Sequence, residues 1–421
     1  MRMIILGCIL AATIAGFAQP DDPITAGKAS LSEASNLAAL IKFAESQNPG
    51  LQSDWAKWQA ATQQANSSGK LPNPTITYGY MAQSLSDFGE TRENRFTVNQ
   101  GFPWFGTLRQ QRKIADAEAN RELARYERTK RDLHFRIKAS YFEYALIRQK
   151  LAIISNNIQL MQDVEEVVLA KFRTGENTYA TLLKIQVELE RLNDEQKSYE
   201  QLLPVTHARL NYLLNRPADA VLPVDPQIEL DTIAIDFEKL AAALSEKNPE
   251  MQIATATSEQ SRSALQLVQK SNYPAFGLGI QYQQMGNMNG VNLPDPVMVS
   301  VSVSLPLWFG KSKAAVAAAQ TRKKAADFSI ENVRNSLLSE LQVTLFGYKD
   351  AYRKIRLYEN KLIPKARQAL EVSQTAFETG KMDFLDWIDA QRTLLQFELE
   401  LADSRNRCAQ KRAELEKLTG F

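Results

Sequence analysis

The sequence predicts a mainly α-helical chain with a minor, membrane-facing β component, built from two copies of one unit: helix, strand, strand, long helix, return helix. Three observations predict it. A strand-to-helix corner, "FPWFG" at 102–106, returns as "LPLWFG" at 305–310. Segments of alternating apolar and polar residues precede both corners, and a stretch without proline or glycine, Thr107 to Arg173, follows the first.

The duplication has four anchors in the same order. Asn48-Pro49 pairs with Asn248-Pro249 and Pro74 with Pro274, both 200 residues apart; Trp104 pairs with Trp308 at 204 and Gly175 with Gly380 at 205. Slow drift of this kind marks an internal repeat with small insertions. The expected organisation is a signal peptide over 1–18, a first repeat over 19–214, a linker over 215–235 and a second repeat over 236–421. The first repeat holds strands about 74–84 and 94–103, a long helix about 107–173 and a return helix about 178–214. The second holds strands about 274–284 and 296–305, a long helix about 311–378 and a return helix about 383–418.

The amino terminus has Arg2, an apolar run from Met3 to Ala15 and small residues before Gln19, the layout of a secretory leader cleaved after Ala18. The rival reading is a lipoprotein, because "ILGC" resembles a lipobox, although seven residues before Cys8 make a short leader. After cleavage only Cys408 remains, so no intramolecular disulfide is expected. Lys and Arg number 50 against 48 Asp and Glu, which gives no sign of a nucleic-acid binder.

In the strands, Phe276, Leu278, Ile280 and Tyr282 alternate with Gly277, Gly279, Gln281 and Gln283. Val297, Val299, Val301, Val303 and Leu305 alternate with Met298, Ser300, Ser302 and Ser304. Ile76, Tyr78, Tyr80, Phe96 and Val98 repeat the pattern in the first half. One oily and one wet face also suits an ordinary half-buried sheet. Strands of about 9 to 11 residues ending in aromatics, however, match a tilted bilayer crossing with an interfacial girdle. Trp104, Phe105, Gly106 and Trp308, Phe309, Gly310 are the expected membrane-interface corners, with each glycine freeing the turn. Four strands cannot close alone, and open edges are not tolerated in hydrocarbon, so a barrel has to be shared between chains.

The long helix is on the order of 100 Å. Its return helix carries Ile185, Leu189, Leu192, Tyr199 and Leu203 in coiled-coil spacing after Leu182. Pro204 and Pro364 are expected to kink or interrupt their helices. Alanine-rich runs at 114–120 and 314–320 suit a closely packed neck, and equally suit plain helix propensity.

Taken together, the duplicated corners, the girdled strands and the stretch "FETGKMDFLDWIDAQRTLL" at 377–395 resemble the TolC family of outer membrane efflux proteins over nearly the whole mature chain. The resemblance implies a homotrimer: a 12-stranded outer membrane β-barrel continuous with a periplasmic α-helical barrel, surrounded by outer membrane lipid. It implies an exit duct rather than an enzyme, without a cofactor, working with a periplasmic adaptor protein and an inner membrane pump of RND type. The tip turns fall on Phe172, Gly175, Phe377, Gly380 and Lys381, and the constricting aspartates on Asp386 and Asp389. These two share a helix face, so three chains would gather six carboxylates. The alternative explanation of the acids is helix-start chemistry, with Asp383 as N-cap and Asp386 near the positive end of the dipole.

The family's tip tyrosine and arginine are replaced by Phe377 and Met382, so the tip is either held differently, with Lys381, Glu378 or Arg173 as candidates, or looser. Met81, Met285, Met288 and Met298 are similar to soft-ligand sets of the Cus and Czc metal-efflux branch, although filler methionine is commoner. No metal ligand set is assigned. His134 and His207 have no catalytic or metal spacing, and the sequence carries no GxSxG, phosphate loop or CxxC. The competing readings are a non-transporting coiled-coil structural protein, which does not need two-faced strands, and a self-contained porin, which needs more than four.

Overall fold

The computed structural model describes residues 36–81, 93–222, 228, 236–285 and 294–420. The expected leader, Cys8, Met288 and most of the linker lie outside them, as do the side chains of Met81 and Met285. The first half runs α1 (Leu37–Gln47), α2 (Pro49–Ser67), β1 (Thr75–Met81), β2 (Glu93–Phe102), α3 (Thr107–Arg173) and α4 (Tyr179–Leu213). The second runs α5 (Phe237–Lys247), α6 (Pro249–Lys270), β3 (Ala275–Met285), β4 (Val297–Ser304), α7 (Phe309–Leu357), α8 (Ile363–Glu378) and α9 (Phe384–Thr419).

The helix expected at the start of each half is two helices. Asn48 ends α1 by donating its amide to the Ala44 carbonyl, and starts α2 by accepting from the Leu51 amide through its side chain at 3.0 Å, with Pro49 next to it. Asn248 does the same between α5 and α6, accepting from the Glu250 amide at 2.8 Å, and its Nδ2 donates to the Leu418 carbonyl at 2.8 Å. An asparagine followed by proline is both a good N-cap and a preset first helical residue, so each pair forces a break without a loop.

The second long helix also departs from expectation. It begins at Phe309 rather than 311, and a π-helical turn, Tyr358–Leu362, separates α7 from α8 just before Pro364. Proline has no amide to donate and its ring crowds the carbonyl one turn back, which a wider turn relieves. Pro204, by contrast, lies inside an uninterrupted α4.

The strands form one antiparallel sheet in the order β1-β2-β3-β4. β4 is shorter than expected, at 8 residues, while β1, β2 and β3 hold 7, 10 and 11 within the described residues. The register keeps the apolar residues on one face: Val98 lies between Ile76 and Ile280, and Phe96 between Tyr78 and Tyr282. Those side chains and their neighbours on β3 and β4 are 38 to 74 % exposed.

The two corners are not equivalent. Gly106 adopts φ +78° ahead of α3, a left-handed backbone that disfavours any side chain, and Lys270 closes over it. Gly310 lies within the first turn of α7 and does not bend the chain. The extra Leu307 moves the change of direction upstream, so Trp308 becomes the N-cap and the helix absorbs the glycine.

Candidate functional site

The far ends of the helices, about 100 Å from the sheet along α3, hold the residues singled out for the tip. Each hairpin turns on a left-handed glycine, Gly175 at φ +82° and Gly380 at +72°. The amides that follow fold back onto the helix: Glu176 donates to the Lys171 carbonyl and Lys381 to that of Ala376, both at 2.8 Å. This 6→1 closure satisfies carbonyls that the helix end would otherwise leave bare. The return helices then start on side-chain caps, Thr178 accepting from the Thr181 amide at 3.3 Å and Asp383 from the Phe384 amide at 2.7 Å. The N-cap role expected of Asp383 is therefore present.

Below the second turn, Phe377, Phe384 and Trp387 form a closed aromatic cluster with centroids 5.8 to 6.1 Å apart. Trp387 is fully buried, and the cluster continues into Ile154, Met161, Ile185 and Leu189 of the first hairpin. Phe172 pairs with Tyr179 at 5.9 Å on the other turn and stays partly exposed. Phe377 thus serves as a core residue where the family pattern has a polar lock.

A different residue ties the two hairpins. Lys171 Nζ donates to the carbonyls of Phe377 at 3.2 Å and Glu378 at 2.6 Å, and lies 5.5 Å from the Phe377 ring centroid. Sequence reasoning named Lys381, Glu378 and Arg173 for this task. Glu378 takes part only through its backbone, and nothing in the sequence marks a lysine that acts on carbonyls 206 and 207 positions away. Lys171→Met keeps the aliphatic stem and removes both bonds, at a cost of about 1 kcal/mol. The expected result is faster amide hydrogen exchange over residues 377–381, with the rest of α8 and α9 unchanged.

A second tie lies about two turns further in. Glu188 on α4, 3 % exposed, accepts from Arg191 at 2.8 Å and from Arg392 on α9 at 2.6 Å. Burial pushes its carboxyl pKa up, but hydrogen bonds from Arg392 and Arg191, with their charges, outweigh this, and the net direction is down. Arg392 also reaches toward Asp389, with 4.0 Å between Nη1 and Oδ1. Buried Gln391 donates to buried Asn157 across the same hairpin junction.

Asp386 and Asp389 sit on the face of α9 turned away from Trp387 and Ile388, and both are exposed. The corresponding first-hairpin stretch "NTYATLLKIQ" at 177–186 has no carboxylate. Among the described residues no cluster of three or more His, Cys, Asp and Glu side chains could hold a metal ion. His134 instead pairs with Glu45 at 2.6 Å, and His207 Nδ1 lies 3.2 Å from the Ala218 carbonyl.

A small sheet with one exposed, mostly apolar face is set on long helical hairpins, and the far end of the second carries the exposed Asp386 and Asp389. The chain belongs to the outer membrane efflux protein family, which it matches over residues 40–216 and 240–421. It is 20 % identical over 387 residues to outer membrane protein TolC of Vibrio cholerae, covering 88 % of this chain and 87 % of that one. It is 24 % identical over 298 residues to the cobalt-zinc-cadmium resistance protein CzcC of Cupriavidus metallidurans, covering 68 % and 67 %. The outer membrane protein VceC of Vibrio cholerae superimposes with a TM-score of 0.79 at 17 % identity, over 91 % of this chain and 96 % of that one. The protein is an efflux channel component of the outer membrane whose helices extend into the periplasm.

Proposed function

We propose that three copies assemble into one duct, each supplying four strands to a 12-stranded barrel and its helices to a periplasmic tunnel. The observation that carries this is the sheet: among the described residues, four strands whose outer two each have one edge without a neighbour, and one exposed, mostly apolar face interrupted by Asn94, Gln100 and Gln284. Backbone groups on an open edge cannot stay unpaired in hydrocarbon, and shared closure satisfies them. The duplicated organisation, 19–214 and 236–421, belongs to this reading, because two repeats per chain give three chains a near sixfold ring. The corner residues Trp104, Phe105, Trp308 and Phe309 then lie at the periplasmic headgroup level.

In this reading the duct is passive. An inner membrane pump of RND type loads it through a periplasmic adaptor docked at the tip, and Asp386 and Asp389 form the acidic constriction. The likeness to a cobalt-zinc-cadmium resistance protein favours heavy-metal cations as cargo. Met298, on the wet face of β4, adds one soft side chain along the path.

The detergent-solubilised protein is expected to run as a trimer and to form discrete conducting steps in a planar bilayer. A monodisperse monomer without channel activity overturns the duct. For the cargo, a deletion strain should become sensitive to cobalt, zinc, cadmium or copper, whereas sensitivity to dyes and bile salts alone removes the metal reading.

A further inference from the structure

Charge is sorted by level along this chain. The ten residues next to each strand end on the corner side, 65–74, 103–112, 265–274 and 305–314, contain Lys70, Arg109, Arg112, Lys270, Lys311 and Lys313, and no Asp or Glu. The whole chain is balanced, 50 to 48, so a band of one sign does not follow from composition. The nearest acids along the four helices are Asp54, Asp116, Glu259 and Asp327. Arg112 pairs with Asp116 at 2.9 Å, and Lys270 donates to the Phe105 carbonyl at 3.2 Å. Lys70, Arg109, Lys311 and Lys313 are exposed and have no carboxylate partner among the described residues.

A cleft of about 360 Å³ lies inside this band, between the end of α6 and the start of α7. Pro306, Phe309 and Val316 give it an apolar wall, and Asn272, Ser312 and Lys313 add polar groups. The chain beside it is unusually bare: Leu305, Leu307, Trp308 and Phe309 are 58 to 78 % exposed. Contiguous exposed apolar side chains of this kind mark a membrane or partner surface. The corresponding place in the first repeat is closely packed. There Gly69 stands where the second repeat has Gln269, and a Cβ on it would lie 2.9 Å from the Leu108 carbonyl oxygen.

We infer that the cleft binds an anionic glycerophospholipid of the periplasmic leaflet. Its acyl carbons lie against Pro306, Phe309 and Val316, and its phosphate is held by Lys313, with Ser312 and Asn272 as hydrogen-bond donors. The inference rests on the reading above in placing the corners at the headgroup level. The two kinds of lining decide the occupant. A free phosphate would leave the apolar wall wet, and a neutral lipid would make no use of a level from which carboxylates are missing. A lysine suits this place, since its stem can lie along acyl carbons while the ammonium meets a phosphate at the water boundary. The other cations of the band add to the attraction for anionic headgroups. A second copy in a symmetric ring fits less well, because at the same level it presents the same cations and no acid to meet them.

Photolabelling tests the site. The full chain in detergent micelles receives trace phosphatidylglycerol or phosphatidylcholine, each with a diazirine in its acyl chain, and the labelled peptides are mapped after irradiation. Phosphatidylglycerol is expected to label residues 305–320 at least ~5-fold more than phosphatidylcholine, about the preference that one lysine near a membrane surface confers. Lys313→Gln is expected to abolish that preference, and Phe309→Ser to lower labelling by both lipids. Equal labelling by the two lipids, or a preference that survives Lys313→Gln, overturns the site. A cleft that neither lipid labels in a trimeric particle is covered by a neighbouring copy, which overturns it as well. A monomeric particle that keeps the lysine-dependent preference overturns the oligomeric reading and leaves the lipid site standing.

Discussion

Exchanging Asp386 and Asp389 together for alanine is expected to raise single-channel conductance several-fold and to weaken block by divalent cations. Both carboxylates are exposed on one face of α9, and the side chain of Asp389 is 76 % exposed with Arg392 Nη1 at 4.0 Å. Three copies would bring six such groups to one constriction, where a ring of carboxylates concentrates cations and holds them against the flow. Asp383→Ala is the control: it removes the cap of α9, costs about 1 kcal/mol, and leaves divalent block unchanged. Equal block in the double variant and the parent would remove both aspartates from the permeation path.

The second large effect is expected at Glu188. Glu188→Gln removes the charge that holds Arg191 and Arg392, and with it the main ionic link between α4 and α9 at the tip. Both arginines remain about half exposed and can be solvated, so the cost is on the order of 1–2 kcal/mol rather than that of a fully buried pair. The pH dependence has a definite sign. A carboxyl whose folded pKa is depressed contributes its stability above the unfolded value and loses it as pH falls through the folded one. The parent tip should therefore loosen below about pH 4, the range of an unperturbed carboxyl. The Gln variant should be loose at neutral pH, with no further acid step from this site. Hydrogen exchange of the α4 and α9 tip peptides between pH 3.5 and 7 distinguishes the two, and identical profiles would show that Glu188 does not tie the hairpins.

The legible parts of the chain are those encoded in local pattern. The span of α3, Thr107–Arg173, is bounded by the absence of proline and glycine, and the two-faced strands by period-two alternation. The glycine turns and the Asp383 cap are equally local. Asn48 and Asn248 were visible as repeat anchors, and their second meaning, a cap followed by a preset proline, was available in the same two letters. The ties at Lys171 and Glu188 were not legible, because each depends on which helix faces pack together across some 200 residues. Gly310 shows the limit of repeat logic: one inserted leucine was enough to turn a hinge glycine into an ordinary helical residue.

The π-helical turn at Tyr358–Leu362 has a bearing on the phase of the buried stripe. Buried positions on α7 recur at Leu341, Thr344, Tyr348, Ala351 and Ile355, and those on α8 at Ile363, Ala366, Leu370, Ser373 and Phe377, in steps of three and four. Between Ile355 and Ile363 the stripe takes eight residues where two heptad steps would take seven. The i→i+5 bonding of a π turn holds more residues per turn than α-helical bonding, so the additional residue is taken up by the wider turn instead of rotating the stripe away from its partners. The turn therefore lets the chain accommodate one inserted residue beside Pro364 while the apolar stripes of α7 and α8 stay on the same partners.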